Sequence, residues 1–107
     1  YMFKVPKSLK SIDVLGVKVD VVINQARCER EGAYGLYDGK IILRSKYPSH
    51  VDFIRTLAHE SFHASCNILG LQLDLQVEEV LATANERMFV SLTGTLSELF
   101  SDHQETK

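Results

Sequence analysis

The sequence has little of what marks several common classes of protein. Its only two cysteines, Cys28 and Cys66, lack CxxC spacing, which argues against a disulfide-built secreted fold and against a zinc knuckle. Residues 1–23 contain no unbroken apolar run of signal-peptide length, and no segment is long enough to cross a bilayer. The expected location is therefore a reducing cytoplasm, without a membrane partner.

An excess of positive charge is also missing. The formal net charge is −2 at pH 7, and the basic residues are scattered, apart from a local group at Lys4, Lys7 and Lys10 that we interpret as a solvated end. Such a charge gives no long-range attraction to nucleic acid. The expected partners are proteins or peptides.

The composition is that of one globular domain. The chain has 107 residues, 45% of them hydrophobic and 24% charged, which is enough apolar material for one core and too little length for a second. We expect a single domain over residues 1–107, with flexible ends at 1–10 and 101–107.

The first half of the chain reads as β-structure. Residues 11–24 alternate apolar and polar side chains around Gly16, which predicts two short strands or one bent strand. The charged and glycine-containing segment 25–35 predicts a surface loop. In "GLYDGKIIL", Asp38-Gly39 lies between two β-favouring runs and predicts a hairpin with a two-residue type I′ turn.

The second half reads as two helices. Ser49 followed three residues later by an acidic residue predicts a helix over His50–Leu69 that ends at Gly70. Its helically spaced apolar side comprises Val51, Ile54, Ala58, Phe62, Ser65 and Leu69.

Asp74 predicts the start of the second helix near Leu75, and Gly94 predicts its end. A stripe predicted to face the core comprises Val77, Leu81, Ala84, Met88 and Leu92. The expected fold is therefore α+β, with a small antiparallel or mixed sheet packed on two helices.

The first helix carries the motif HExxH in "LAHESFHAS". Positions four apart lie on one helix face, so His59 and His63 can direct their imidazoles at a single metal ion, for which zinc is the expected identity. Glu60 lies at the edge of the same face and can act as general base on a metal-activated water. The alternative is a metal-free helix whose histidines are satisfied by protein partners.

A third metal ligand is needed for a catalytic zinc site. A metzincin would continue as HExxHxxGxxH, but Cys66 and Leu69 stand at those positions. Cys66 lies one turn after His63, but we interpret it as a buried structural thiol. The remaining candidates are Glu78 and Glu79 in the second helix, and spacing leaves both open.

With "LAHESFHA" followed by "GLQLDLQVEEVLATANERM", most of the chain resembles the small gluzincin-type metallopeptidase domains of bacteriophages and prophages, which are distantly similar to the ImmA/IrrE group. The resemblance implies a zincin-like fold with one zinc ion per chain. In that family the third ligand is a glutamate in a "VEALAT"-like run. When this run is aligned with "EEVLAT", the glutamate falls on Glu79; an alignment shifted by one residue would place it on Glu78. The second acid of larger gluzincins has no fixed counterpart, with Glu86 and Thr83 as possible substitutes.

The resemblance also implies that "KIILR" borders the substrate cleft and that its open edge pairs with an extended peptide, so that residues 40–44 would line the substrate. A plain edge strand protected by its charged ends is the alternative. No residue is singled out for stabilising an oxyanion; the candidates are Tyr34, Tyr37, Tyr47 and His50.

The expected function is a zinc-dependent peptidase that hydrolyses peptide bonds of an intracellular protein or peptide. The ligand set is His59, His63 and Glu79, and Glu60 is the general base. The alternative is a catalytically silent zinc-containing module for protein interaction, and a protein partner is possible in either case.

Overall fold

The computed structural model describes residues 2–105, with side chains to Ser101. Its strands are β1 (Phe3–Lys4), β2 (Ser11–Val14), β3 (Val17–Ile23), β4 (Gly35–Tyr37), β5 (Ile41–Leu43) and β6 (Lys46–Tyr47). Its helices are α1 (Gln25–Arg30), α2 (His50–Leu69) and α3 (Leu75–Glu105). The fold is α+β, as predicted.

The strands form a two-stranded sheet, β1-β6, and a four-stranded mixed sheet of order β2-β3-β5-β4. In the larger sheet β3 and β5 are parallel, and the other neighbours are antiparallel. The prediction that "KIILR" is an open edge is wrong, because β5 pairs on both sides and Ile41–Leu43 is fully buried. Residues 40–44 therefore cannot present a free strand edge to a peptide; the edge beside β5 belongs to β4.

The tight two-residue turn occurs at a different hairpin from the one predicted. Leu15 and Gly16 both have positive φ, and the flanking Val14 and Val17 pair directly, which is the arrangement of a type I′ turn. Asp13 stabilises it by accepting a hydrogen bond from the Gly16 amide at 2.7 Å. At the β4-β5 hairpin, three residues separate the paired Tyr37 and Ile41, and only the glycine among them has positive φ.

The segment predicted as a loop contains a short helix, α1. Asn24 caps it by accepting a hydrogen bond from the Arg27 amide at 3.0 Å, and an Arg27–Glu31 ion pair of 3.0 Å joins positions four apart. Cys28 points inward from α1 and is fully buried. Burial raises the pKa of its thiol.

The α2 helix begins and ends where the sequence predicts. The Ser49 hydroxyl accepts a hydrogen bond from the Asp52 amide at 3.2 Å, and Gly70 adopts the left-handed conformation that ends many helices. The side of α2 that packs on the sheet includes Phe53, Leu57 and Ala64. The apolar side that the sequence predicted is a different side of α2, and it runs along α3. On this side Ala58 is buried, whereas Leu69 at the end of the helix is exposed.

The α3 helix starts as predicted, with the Asp74 carboxylate accepting a hydrogen bond from the Gln76 amide at 2.9 Å. The predicted end at Gly94 is wrong, since the helix continues to Glu105. One glycine costs a helix about 1 kcal/mol, which the helix formers on both sides offset. Among the described residues, no helix is long and apolar enough to cross a membrane.

The prediction that α3 turns its apolar stripe toward the core is also wrong. All five predicted stripe residues are exposed, from Leu81 at 42% to Met88 at 66% among the larger ones. The side of α3 that lies on α2 instead carries Glu78, Ala82, Asn85 and Glu86. Polar residues thus occupy the contact between the two helices, and these residues form the site described next.

Candidate metal centre

Two helices bring the predicted ligands together. The side chains of His59, His63 and Glu79 each offer one ligand atom, and these atoms lie within 4.8 Å of one another. Nε2 of His59 is 2.8 Å from a Glu79 carboxylate oxygen, and Nε2 of His63 is 3.6 Å from the same oxygen. Both imidazoles therefore point the same ring nitrogen at one carboxylate, and the group can hold a metal ion.

The other ring nitrogen of each histidine contacts a second carboxylate of α3. Nδ1 of His59 lies 2.7 Å from Oε1 of Glu86, and Nδ1 of His63 lies 2.5 Å from Oε2 of Glu78. A carboxylate at Nδ1 fixes the tautomer that leaves Nε2 free to bind a metal, and it also orients the ring. The two candidates that spacing left open are thus separated: Glu79 faces both Nε2 atoms, whereas Glu78 lies behind His63.

Of the possible second acids, Glu86 contacts a histidine of the site. Glu79 and Glu86 are seven residues apart, close to two helix turns, so they lie on nearly the same face of α3. That spacing is the signal in the sequence that pairs them. The pairing of Glu78 with His63 is a contact that spacing had not indicated, because it depends on how far α3 is rotated about its axis.

Arg55 is a further site residue that the sequence pattern did not single out. Arg55 lies one helix turn before His59 in α2, and its Nε is 3.6 Å from Oε2 of Glu86. The guanidinium compensates part of the negative charge that Glu86 brings next to the histidine.

The ionisation of His59 follows from these neighbours. Burial lowers the pKa of His59, but its hydrogen bonds with Glu79 and Glu86 outweigh this effect, and the pKa lies above its usual value. A metal at Nε2 must displace the proton that the Glu79 contact favours, so metal binding should release protons.

Glu60 differs from the other acids of the site because its carboxylate is mostly buried and is not directly paired with another side chain. It is only 7% exposed, and its pKa is raised, chiefly by burial. No hydrogen bond or ion pair among the described residues involves its carboxylate. Its side chain borders a cavity, and an acid with a perturbed pKa in a cleft is a candidate for catalysis.

His59, Glu60, Glu79 and Glu86 border one cavity, which we call the cleft, with a volume of about 430 Å³. It is lined by Ala33, Tyr34, Gly35, Asp52, Arg55, Thr56, His59, Glu60, Glu79 and Glu86. Strand β4 forms one wall, and Gly35 lets that wall approach α2 closely, since a Cβ there would lie 2.5 Å from Cγ2 of Thr56. The strand that borders the cleft is therefore β4.

The four oxyanion candidates lie in different surroundings. Tyr34 lines the cleft, whereas Tyr47 is fully buried and donates a hydrogen bond to the Tyr34 carbonyl at 2.6 Å. Tyr37 accepts a hydrogen bond from Asn67, and His50 lies at the start of α2 beside Val51 and Gly94. Only Tyr34 of these four is next to the metal ligands.

Cys66 is buried, as predicted, with 2% exposure, and it is not part of the ligand group. Comparison of the chain with protein-family models, curated proteins and solved structures finds no match. The interpretation of the site therefore depends on its own residues and geometry.

Proposed function

We propose that the chain is a zinc-dependent peptidase with a minimal zincin-like domain, in which His59, His63 and Glu79 hold the metal. The observation that carries the proposal is the convergence of both Nε2 atoms on one carboxylate, with a buried, unpaired Glu60 in the same cleft. Two imidazoles and one carboxylate are a ligand set that catalytic zinc uses, with a further position left open.

Bound zinc would supply a Lewis acid that polarises the peptide carbonyl and acidifies a water molecule. Glu60 would act as the general base: it would accept a proton from the water that attacks the peptide carbonyl and would pass that proton to the amine nitrogen as the C–N bond breaks. Glu78 and Glu86 hold the two imidazoles in orientation. Tyr34 is the candidate in the cleft for stabilising negative charge on the carbonyl oxygen.

An extended peptide fits beside β4. This strand is at the edge of the four-stranded sheet, and Ala33, Tyr34 and Gly35 line the cleft. An unpaired strand edge binds peptides through backbone hydrogen bonds with little dependence on side chains. The proposed substrate is therefore an extended segment of an intracellular protein.

Metal content tests the ligand set. Purified wild-type protein should contain one zinc per chain, and His63→Ala and Glu79→Gln should lose it. Glu78→Gln is the matched control for Glu79→Gln, because it makes the same chemical change one residue away. It should weaken zinc affinity about 10- to 100-fold without abolishing binding, as for other residues that orient a ligand. Equal zinc loss in the two glutamate variants, or full retention of zinc by Glu79→Gln, would contradict the assignment.

Glu60→Gln tests catalysis separately from metal binding. The variant should retain zinc but lose cleavage of a random-sequence peptide library, because the amide cannot accept a proton from water. Cleavage at the wild-type rate by this variant would end the peptidase proposal. A zinc-loaded wild type that cleaves nothing in the library would instead favour the silent interaction module.

A further inference from the structure

The side of α3 next to its α2 contact carries an apolar stripe, which we call the α3 stripe. Its large members are between 41% and 66% exposed, and at 100° per residue they lie within an arc of about 120°. The α3 stripe comprises Val77, Leu81, Ala84, Met88, Leu92, Leu96 and Leu99. It is centred about 100° around the helix from the buried Ala82, so α2 does not cover it.

The α3 stripe is large for the surface of a monomer. From residue 77 to residue 99 it runs for about 33 Å, and with its flanking Val80 and Phe89 it is about 15 Å wide, or roughly 500 Å². That is near the upper end of the apolar patches that monomers expose. Two copies of such a patch facing each other would remove about 1,000 Å² of surface, the lower bound for a specific interface.

The order of residues in the α3 stripe fits a second copy in the antiparallel direction. Leu81 and Leu99, Ala84 and Leu96, and Met88 and Leu92 are each placed symmetrically about position 90. A two-fold axis that crosses the stripe at the axial level of position 90 would set the members of these three pairs against each other, with the small Ala84 opposite a leucine.

Two charged residues support the same arrangement. Arg87 and Glu98 both lie on the flank of the α3 stripe that is turned away from α2, about 20° apart around the helix. Neither forms an ion pair with any side chain that the structure describes. In the antiparallel pair, Arg87 of one copy lies on the same side of the interface as Glu98 of the other copy. The two residues are offset by about 7.5 Å along the helix axis, a distance that their long side chains can span.

We propose that two copies of this chain associate through the α3 stripe as an antiparallel, two-fold symmetric dimer. Glu79 and Glu86 point to the opposite side of α3 from the stripe, about 150° away, so both clefts stay open. The inference does not depend on the proposed function. An interface of this size predicts a dissociation constant in the micromolar range.

Sedimentation equilibrium of the wild-type chain should show a monomer–dimer equilibrium in that range. Met88→Glu would place a carboxylate against the apolar Leu92 of the other copy, and it should raise the dissociation constant at least about tenfold. Because Met88 is 66% exposed, the circular dichroism spectrum should not change. Gln76→Glu, an exposed position of α3 outside the stripe, is the matched control and should dimerise like the wild type.

A charge swap tests the direction of the helices. Arg87→Glu and Glu98→Arg should each weaken the dimer, because each places two like charges opposite one another. The double variant should restore the wild-type dissociation constant, because residue 87 of one copy and residue 98 of the other again have opposite charges. A wild type that remains monomeric up to about 1 mM would overturn the proposal. So would a double variant that dimerises no better than the single ones, because it would exclude the antiparallel pairing.

Discussion

At the scale of single residues, Gly35 sets the distance between strand β4 and helix α2. A Cβ at this position would lie 2.5 Å from Cγ2 of Thr56 and 3.3 Å from Cγ of Glu60. The first distance is below any normal contact, and both partners belong to the buried side of α2. The glycine is therefore required by close approach, not by its φ angle, and it places a wall of the cleft directly beside Glu60.

Gly35→Ala should consequently destabilise the protein by about 1–3 kcal/mol, the usual cost of forcing an extra methyl group into a packed site. Urea unfolding measures the change. Adding Thr56→Ser removes the methyl group that clashes, so the double variant should recover part of the loss. An alanine variant as stable as the wild type would show that β4 can move away from α2 without cost.

The sequence predicted positions within one helix better than contacts between the two helices. The HExxH spacing alone placed His59 and His63 on one face, because helix geometry is local. The roles of Glu78 and Glu79 could not be separated in the same way. They depend on the rotation of α3 against α2, which is a property of tertiary packing and is not contained in either helix alone.

At the scale of elements, α3 shows how a helix can override a local signal. Gly94 predicted its end, yet the helix runs on to Glu105. Glycine in a helix interior is tolerated at a cost, and no described atom outside the neighbouring backbone of the helix lies within 4 Å of where its Cβ would be. The glycine does not adopt positive φ, so nothing in the backbone requires it.

Gly94→Ala should therefore stabilise the protein, by about 0.5–1 kcal/mol, because alanine restricts the unfolded chain and favours the helix. The midpoint of thermal unfolding, followed by circular dichroism at 222 nm, measures the gain. Gly70→Ala provides the contrast: Gly70 has φ of +68° at the end of α2, so alanine there should destabilise. A loss of stability in Gly94→Ala would mean that its neighbours pack more tightly than the structure shows.

The strand and helix assignments illustrate which patterns are reliable. Caps and stop signals gave the bounds of α2 correctly, since Ser49 and Gly70 act within a few residues of themselves. The alternation of apolar and polar residues predicted β2 and β3. It did not predict the order of the strands, in which β5 lies between β3 and β4. The face of α3 was wrong because periodicity finds an apolar side without indicating whether it meets this chain or another surface.

At the scale of the whole molecule, the hydrophobic core belongs to the sheet and α2. Its buried members come from β2, β3, β5 and α2, and none comes from α3. Among the described residues of α3, Ala82 is the one buried hydrophobic side chain. The polar contacts of α3 with α2 include the carboxylate contacts with His59 and His63 and a hydrogen bond from Asn85 to the Ala58 carbonyl.

This division predicts unequal stability along the chain. Without metal, backbone amides of α3 should exchange with solvent faster than those of β5 and α2, because few apolar contacts hold the helix in place. Zinc should slow exchange in α3 while leaving β5 nearly unchanged, and His63→Ala should abolish the effect of zinc. Hydrogen–deuterium exchange with mass spectrometry measures all three. Protection of α3 equal to that of β5 in metal-free protein would contradict the prediction.

The proposed third ligand, Glu79, is carried by this helix, which has one buried hydrophobic side chain among its described residues. Docking of α3 and assembly of the ligand set are therefore one event, and the free energy of zinc binding is added to the free energy of docking. A cell that is short of zinc would then contain the protein with an incomplete ligand set. The proposed proteolysis would be limited by metal supply, and its substrates would be spared until the ion arrives.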